Sequence, residues 1–157
     1  MTPDPTHQPA DRDAREHLAE LLADQPLAVL ATHHDGQPYC NLVAVLGCKD
    51  LDWLAFVTPR STRKYRNLLA DPRVSLMLDD RRRLSEGVEA VTAATAMGTA
   101  AEPPSDEQVG LIEKYIQHHP TLEAFVRSED TALLKVHVHR WVVVDRFQHV
   151  VEFSPGR

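Results

Sequence analysis

The sequence predicts a mainly β fold, a sandwich or a barrel, in a single domain with helices at its edges. Short apolar runs recur at regular spacing, and turn signals such as Asp35-Gly36 and Asp71-Pro72 separate them. Of the 157 residues, 43% are hydrophobic, which is enough for one core. Stretches in which apolar residues recur every three to four positions lie before and between these runs, and they predict the helices.

The N-terminal third predicts a tail, a helix and three strands. Residues 1–10 are rich in proline and polar side chains and predict a disordered tail, so the domain is expected to span residues 11–157. Asp11 to Asp24 places its leucines on one side of a helix, which we expect to pack across an open end of the main body. The Asp35-Gly36 turn joins the first two strands into a hairpin. The strands expected here are 27–32, 39–46 and 51–58.

The rest of the chain predicts a short helix, three more strands and two further helical segments. Val88 to Ala101 is rich in alanine, which alone favours a helix, but its Val and Thr residues, Gly98 and the barrel context favour a strand. Its small side chains leave room for a partner's backbone or a flat ring, the alternative being an ordinary core strand. A cap signal at 102–107 starts a helix. The other elements expected here are strand 73–78, the charged connection 79–87, a helical piece at 121–127 and a long, bent last strand at 132–144.

Composition argues against several classes of protein. No apolar run is long enough to span a membrane, and the first residues lack the basic and apolar regions of a signal peptide. A formal net charge of -6 argues against nucleic acid as the main partner. Cys40 and Cys48 form no CxxC pair and indicate no disulfide framework, so a cytoplasmic, reduced protein is expected.

The chain is organised around the stretch from Thr58 to Ala70. The apolar run at 51–57 reads as a strand that Pro59 interrupts, and Ser61 or Thr62 can then cap a short helix. The helix ends before Asp71-Pro72, because the residue before a proline avoids helical angles. A strand therefore leads directly into a helix N-terminus.

Four cations crowd this helix N-terminus, where the helix dipole favours acidic residues instead. They are Arg60, Arg63, Lys64 and Arg66, and no acidic residue lies between Asp52 and Asp71. Exposed N–H groups, hydroxyls and a fork of Arg and Lys side chains together form a phosphate site. The alternative is an ordinary capped surface helix with solvated arginines.

The segment FVTPRSTRKYRNLLADPRVSLML at 56–78 resembles the phosphate-binding segment of the pyridoxamine 5'-phosphate oxidase-like, FMN-binding split-barrel family. The shared parts are a strand ending in a hydroxyl residue, a cluster of Ser/Thr and Arg/Lys, Asn-Leu, an acidic-Pro turn and a Val-Ser-Leu strand. The resemblance extends from Leu27 to about Phe153. It implies a six-stranded antiparallel split β-barrel with peripheral helices, which is a mainly β (α+β) fold, in one FMN-binding domain.

The resemblance also implies a homodimer with two equivalent FMN sites at the subunit interface, and a small-molecule substrate. Arg60 and Lys64 would pair with the FMN phosphate, and Ser61 and Thr62 would donate hydrogen bonds to it. Asn67 would brace the loop. The flavin ring would be bordered by Val57 and Thr58, with Asn41 at its polar edge and Trp141 of the opposite subunit closing the site. From the residues alone, Asn41 is expected to be a polar residue at the start of a strand, and Trp141 and Phe147 are expected to be core residues.

The implied function is that of an FMN-dependent oxidoreductase, whose catalytic residues the sequence does not reveal. The segment at 118–148 is similar to the haem-utilisation branch of the superfamily, but Asp145-Arg146-Phe147 replaces the Gly-Gly-Phe expected there. A haem-binding or haem-degrading protein and a non-catalytic flavin or deazaflavin binder are therefore the alternatives. His137 and His139 share one face of a strand, but without a third ligand they predict no metal site.

Overall fold

We describe the protein from a computed structural model, which covers the backbone of residues 9–156. Eight strands and four helices lie in this range, joined in part by short 3-10 turns. The helices are α1 (Pro9–Asp24), α2 (Arg63–Ala70), α3 (Ser105–His118) and α4 (Glu123–Val126). The strands are β1 (Leu27–His34), β2 (Gln37–Ala44), β3 (Leu46–Gly47), β4 (Trp53–Pro59), β5 (Arg73–Asp79), β6 (Ala93–Ala101), β7 (Thr131–Asp145) and β8 (His149–Phe153).

One antiparallel sheet contains all eight strands, in the order β2-β1-β5-β6-β7-β4-β3, with β8 added to β7. The two edge strands, β2 and β3, are separated in the chain by Val45 alone. The sheet therefore curls round until its edges meet at one bent strand, and β2 packs against β4. Counting β2 and β3 as that bent strand, the predicted six-stranded split barrel with peripheral helices is confirmed, and β8 is an addition to it.

The core has two parts, one inside the barrel and one outside it. The inner cluster is made by alternate residues of the strands, as in Ala94, Ala96 and Ala100 of β6, together with leucines of α1. The outer cluster lies where α3 and α4 cover β4 and β7, around the fully buried Tyr115. Helix α3 is also tied to the bend of the barrel, because the Tyr115 hydroxyl donates to Ala44 O at 2.9 Å.

Helices α1 and α2 lie at opposite ends of the barrel. Strand β5 begins beside α2 and ends near the C-terminus of α1, where Arg82 lies 3.9 Å from Asp24. The expected helix across an open end of the barrel is α1, which buries Leu18, Leu21 and Leu22 in the inner cluster. It begins at Pro9, two residues before the expected boundary. The tail predicted for residues 1–10 otherwise lies outside the described residues. None of the helices described here is long and apolar enough to cross a membrane.

Four local features differ from what the sequence predicts. The strand expected from Val88 begins at Ala93, because Val88–Ala90 forms a 3-10 turn. The helix expected from 102–107 is found as α3, starting at Ser105 after Pro104, but no side-chain cap bond starts it. Strand β8 was not expected, because the turn before it, Arg146 to Gln148, has positive φ at three consecutive residues and contains no glycine. Its central residue, Phe147, was expected in the core but is 63% exposed.

Candidate functional site

The turn from β4 into α2 is held together by two threonine hydroxyls. Thr62 is the N-cap of α2, and its Oγ1 accepts a hydrogen bond from the Tyr65 N–H at 3.3 Å. The same hydroxyl donates to Pro59 O at 2.8 Å, so the 2.9 Å contact between Thr58 and Thr62 has Thr58 as its donor. The predicted Thr62 cap is therefore confirmed, and its hydroxyl proton is used within the turn rather than being available to a ligand.

The first turn of α2 presents backbone donors. Within residues 9–156, the N–H groups of Ser61, Arg63 and Lys64 have no acceptor, as expected for the first residues of a helix. Ser61 is exposed, and its hydroxyl is likewise without a partner among the described residues. These groups can bind an anion at the helix N-terminus.

Of the four cations in the cluster, Arg60 pairs with a carboxylate, Arg63 lies over a tyrosine ring and Arg66 donates to Ser61 O, whereas Lys64 has no such partner in the described structure. Its side chain is partly buried, and no hydrogen bond or ion pair to it is found in the described part of the chain. Burial lowers the pKa of the Lys64 ammonium, because removal from water disfavours the charged form. A bound anion would restore that pKa, so the environment of Lys64 fits an anion-binding role.

Arg63 and Arg60 lie on different sides of the turn. The Arg63 guanidinium lies over the ring of Tyr39 on β2, 5.1 Å from its centroid. The Arg60 guanidinium, in contrast, binds the carboxylate of Glu102, which follows β6. Arg63 was not among the predicted ligands, although it is the direct neighbour of Lys64 at the helix start. Glu102 had no signal in the sequence, since the fold alone brings it to Arg60.

The base of α2 is anchored to the barrel through a buried polar pair. Asn67 donates from Nδ2 to the Thr32 hydroxyl at 3.0 Å, and both residues are buried. Loss of either side chain would leave the other buried without a hydrogen-bond partner, which would destabilise the fold. The position of Asn67 fits the expected role of bracing the loop, and Thr32 is a partner that the sequence did not indicate.

Asn41 and Tyr39 lie on the inward face of β2. Asn41 pairs with the fully buried Leu30 of β1, so their side chains share a face. The amide oxygen of Asn41 is buried and has no hydrogen-bond partner in the described structure. Unpaired buried acceptors are uncommon and suggest a donor supplied from elsewhere.

The remaining predicted residues are buried. Val57 and Thr58 lie at the end of β4, next to the turn, with their side chains inside the fold. Trp141 lies far from the turn in the inner core, 0% exposed, where its indole N–H donates to Leu51 O at 2.7 Å. The structure thus brings Thr58, Ser61, Thr62, Lys64 and Asn67 together, whereas Trp141 packs the core.

A second feature is an open groove of about 600 Å³ on the outer face of the sheet, across β1, β5, β6 and β7. Its floor is made largely of small and apolar residues, among them Ala31, Met97 and Gly98. His139 lies at a bulge of β7 and shares a 2.8 Å hydrogen bond with Thr99 through its Nε2. No group of three metal-ligating side chains is found among the described residues.

A family model described as pyridoxamine 5'-phosphate oxidase matches residues 14–145 of the chain. No protein with a curated description matches it. Among solved structures, the heme binding protein from Mycobacterium smegmatis is similar with a TM-score of 0.80 and 20% identity, over 90% of this chain and 57% of that one. This chain thus spans little more than half the length of that protein.

Two further structures of similar fold bind different cofactors by their descriptions. A FAD-binding protein from Mesorhizobium loti has a TM-score of 0.66 and 14% identity, over 82% of this chain and 91% of that one. HutZ, the heme storage protein from Vibrio cholerae, has a TM-score of 0.65 and 16% identity, over 95% and 94%. At these identities the likeness establishes the fold and leaves the cofactor open.

Proposed function

Because the chain belongs to the pyridoxamine 5'-phosphate oxidase family, we propose that it is an FMN-binding flavoprotein and an FMN-dependent oxidoreductase acting on a small substrate. The observation that carries the proposal is Lys64, a partly buried cation without a counterion beside unpaired N–H groups at a helix N-terminus. When bound, FMN supplies hydride or electron chemistry, and the protein supplies binding and orientation.

The phosphate would be held by Lys64, the N–H groups of the first helical turn and the Ser61 hydroxyl. We add Arg63 to this set, because it adjoins Lys64 and pairs with no carboxylate in the described structure. Arg60, which the resemblance implied as a phosphate ligand, is already paired with Glu102. Thr62 would act as the helix cap, and Asn67 would keep the helix in place through Thr32.

The flavin ring would lie beside the end of β4, next to the start of β2. Val57 and Thr58 border that space from β4, mainly with their backbone because their side chains are buried. The unpaired amide oxygen of Asn41 is an acceptor that fits a ring N–H group. Trp141 is left out of the proposed site, because its side chain is committed to the core.

A second copy of the chain is the partner that we propose, in a homodimer with the cofactor sites at its interface. The outer face of β2, β1 and β5 exposes the large apolar side chains Leu42, Leu27 and Met77, with Leu42 65% exposed. An apolar sheet face of this kind is typical of interaction sites. A location in the cytoplasm belongs to the same proposal.

The test is a titration with FMN and with riboflavin, which lacks the phosphate. Lys64→Ala is expected to weaken FMN binding by about 1.5–3 kcal/mol, which is roughly 10- to 150-fold, because a charged hydrogen bond is lost. Riboflavin binding should not change. Lys114→Ala, on the exposed side of α3, is the matched control for charge and should leave both affinities unchanged. Equal binding of FMN and riboflavin by the unaltered protein would contradict the phosphate site.

Haem binding is the second candidate, and the outer groove is the observation that favours it. One histidine can be the axial ligand of a haem iron, and when Nε2–H of His139 donates to the Thr99 hydroxyl, Nδ1 is the nitrogen left to serve as that ligand. Haemin added in the same titration would give a Soret band that His139→Ala abolishes if this candidate is right. Binding of a deazaflavin in place of FMN, or FMN binding without turnover of any substrate in a screen, would instead favour the non-catalytic alternatives.

A further inference from the structure

Arg60, Tyr65 and Glu102 form a closed triad at the rim of the proposed phosphate site. Arg60 donates from Nη2 to Glu102 Oε2 at 2.9 Å and from Nη1 to Glu102 Oε1, and also from Nη1 to the Tyr65 hydroxyl at 2.7 Å. Tyr65 in turn donates to Glu102 Oε1 at 2.7 Å. Each of the three side chains therefore contacts the other two.

The triad joins three separate segments of the chain. Arg60 lies in the turn after β4, Tyr65 in the first turn of α2, and Glu102 between β6 and α3. The Arg60 backbone N–H is also fixed, donating to Asp130 O at 2.8 Å. Hydrogen bonds from Arg60 lower the pKa of Glu102, so the carboxylate is charged near neutral pH.

The position of the triad relative to Lys64 follows from helix geometry. Successive residues of a helix are rotated by about 100°, so Tyr65 points to one side of Lys64 and Arg63 to the other. Arg63 is directed to Tyr39, and Tyr65 to Glu102. An anion bound at Lys64 would therefore have the cation Arg63 on one side. On the other side it would have the ion pair of Arg60 and Glu102, which is neutral as a whole but includes a carboxylate.

An arginine that left Glu102 to bind a phosphate would strand a carboxylate beside that phosphate. Two like charges so close disfavour each other, and the bidentate pair with its tyrosine would be lost as well. Arg60 is therefore expected to stay with Glu102 when the phosphate is bound. The carboxylate remains next to any group that extends from the phosphate in that direction.

We propose that Glu102 determines which phosphorylated flavin binds at this site, an inference that rests on the proposed function. It retains Arg60 in the triad, and its charge favours a terminal phosphomonoester over a phosphate that carries a further anionic group, such as the diphosphate of FAD. Discrimination of this kind comes from a repulsive group placed against the wrong ligand.

The experiment compares the affinities for FMN, FAD and riboflavin by fluorescence titration. Glu102→Gln keeps an acceptor for Arg60 but removes the charge, and it should tighten FAD binding on the order of tenfold and FMN binding by less, leaving riboflavin unchanged. Glu86→Gln removes a paired carboxylate at the opposite end of the barrel and controls for net charge. An unchanged ratio of FMN to FAD affinity in Glu102→Gln would overturn the proposal, while FMN binding by the unaltered protein would still support the proposed function.

A double-mutant cycle tests whether Arg60 acts only through Glu102. Arg60→Gln leaves the carboxylate unpaired and should weaken the binding of both phosphorylated flavins. Combining it with Glu102→Gln should return FMN affinity to about that of the unaltered protein, because no charge of the triad is left. If the double variant binds FMN as weakly as Arg60→Gln, then Arg60 contacts the phosphate directly and the proposal is wrong. Failure of the unaltered protein to bind any flavin would instead refute the proposed function.

Discussion

The two ends of the barrel are closed by different means. At the α1 end, the helix inserts hydrocarbon, with Ala14, Leu18, Leu21 and Leu22 all buried in the inner cluster. At the other end, α2 contributes one buried leucine, Leu68, and the partly buried Tyr65, and it is bonded to the barrel through Asn67 and Thr32. Apolar closure contributes stability that needs no ligand. Polar closure leaves donors and a cation at the surface, which is what an anion-binding site requires.

The two ends also differ in whether their charged side chains have partners. The α1 end contains a cavity of about 370 Å³ lined by many charged residues, and all of its arginines pair with carboxylates, as Arg82 does with Asp24 and Arg83 with Asp80. There, the buried carboxylate of Asp145 lies 2.6 Å from His149 Nδ1 and 3.5 Å from Arg146. At the α2 end, Lys64 has no such partner among the described residues. A partly buried cation without a partner therefore distinguishes the α2 end from the α1 end.

The largest expected effect comes from truncating one leucine at each end. Leu18→Ala should lower the free energy of unfolding by about 2–5 kcal/mol, because a fully buried side chain leaves a cavity. Leu68→Ala should also destabilise the fold, and by a smaller amount, since Leu68 is slightly exposed. Urea denaturation of both variants measures these changes.

The FMN affinities of the same two variants should differ between the ends of the barrel. Leu18→Ala should retain the affinity of the unaltered protein in buffer, whereas Leu68→Ala should weaken binding because α2 carries the phosphate donors. A loss of FMN affinity in Leu18→Ala at a temperature where it is fully folded would contradict the separation of the two ends.

Much of the fold followed from local patterns in the sequence. Alternation along the strands, the Asp35-Gly36 turn and the Thr62 cap are interactions between near neighbours in the chain, and all three are found in the structure. The resemblance then supplied the barrel, which local patterns could not distinguish from a sandwich. Strand β8 was not predicted, because the turn at Arg146 to Gln148 adopts left-handed angles without glycine, asparagine or aspartate.

The candidate site was predictable only in part, for the same reason. The helix and its cations lie in one stretch, so Lys64 and its neighbours could be identified from sequence. The contact between Arg60 and Glu102 joins residues 42 positions apart, and a sequence alone gives no measure of that distance. Charge counted along the chain therefore made Arg60 look unpaired, and the fold supplies its counterion.

Substitution of Asn67, which bonds α2 to the barrel, should have an effect of intermediate size on stability. Asn67→Ala leaves the buried Thr32 hydroxyl without its partner and should lower the free energy of unfolding by about 1–3 kcal/mol. Combining Asn67→Leu with Thr32→Val removes both polar groups and should recover much of that loss. The recovered variant should still bind FMN less tightly, because α2 loses the bond that fixes its position. If it binds FMN as the unaltered protein does, the bond serves stability alone.

The smallest expected effect is a pH dependence that arises from Lys64. Burial lowers its pKa below the ordinary 10.5 in the free protein, and a bound phosphate would raise it again. FMN affinity should therefore fall as pH rises through the lowered pKa, because the free protein gives up the proton that binding requires. Without FMN the sign is opposite: between the folded and unfolded pKa values the unfolded chain binds more protons, so this residue makes stability rise with pH. Lys64→Arg, which stays charged throughout, should remove both dependences. An FMN affinity that falls equally with pH in Lys64→Arg would assign the dependence to another group.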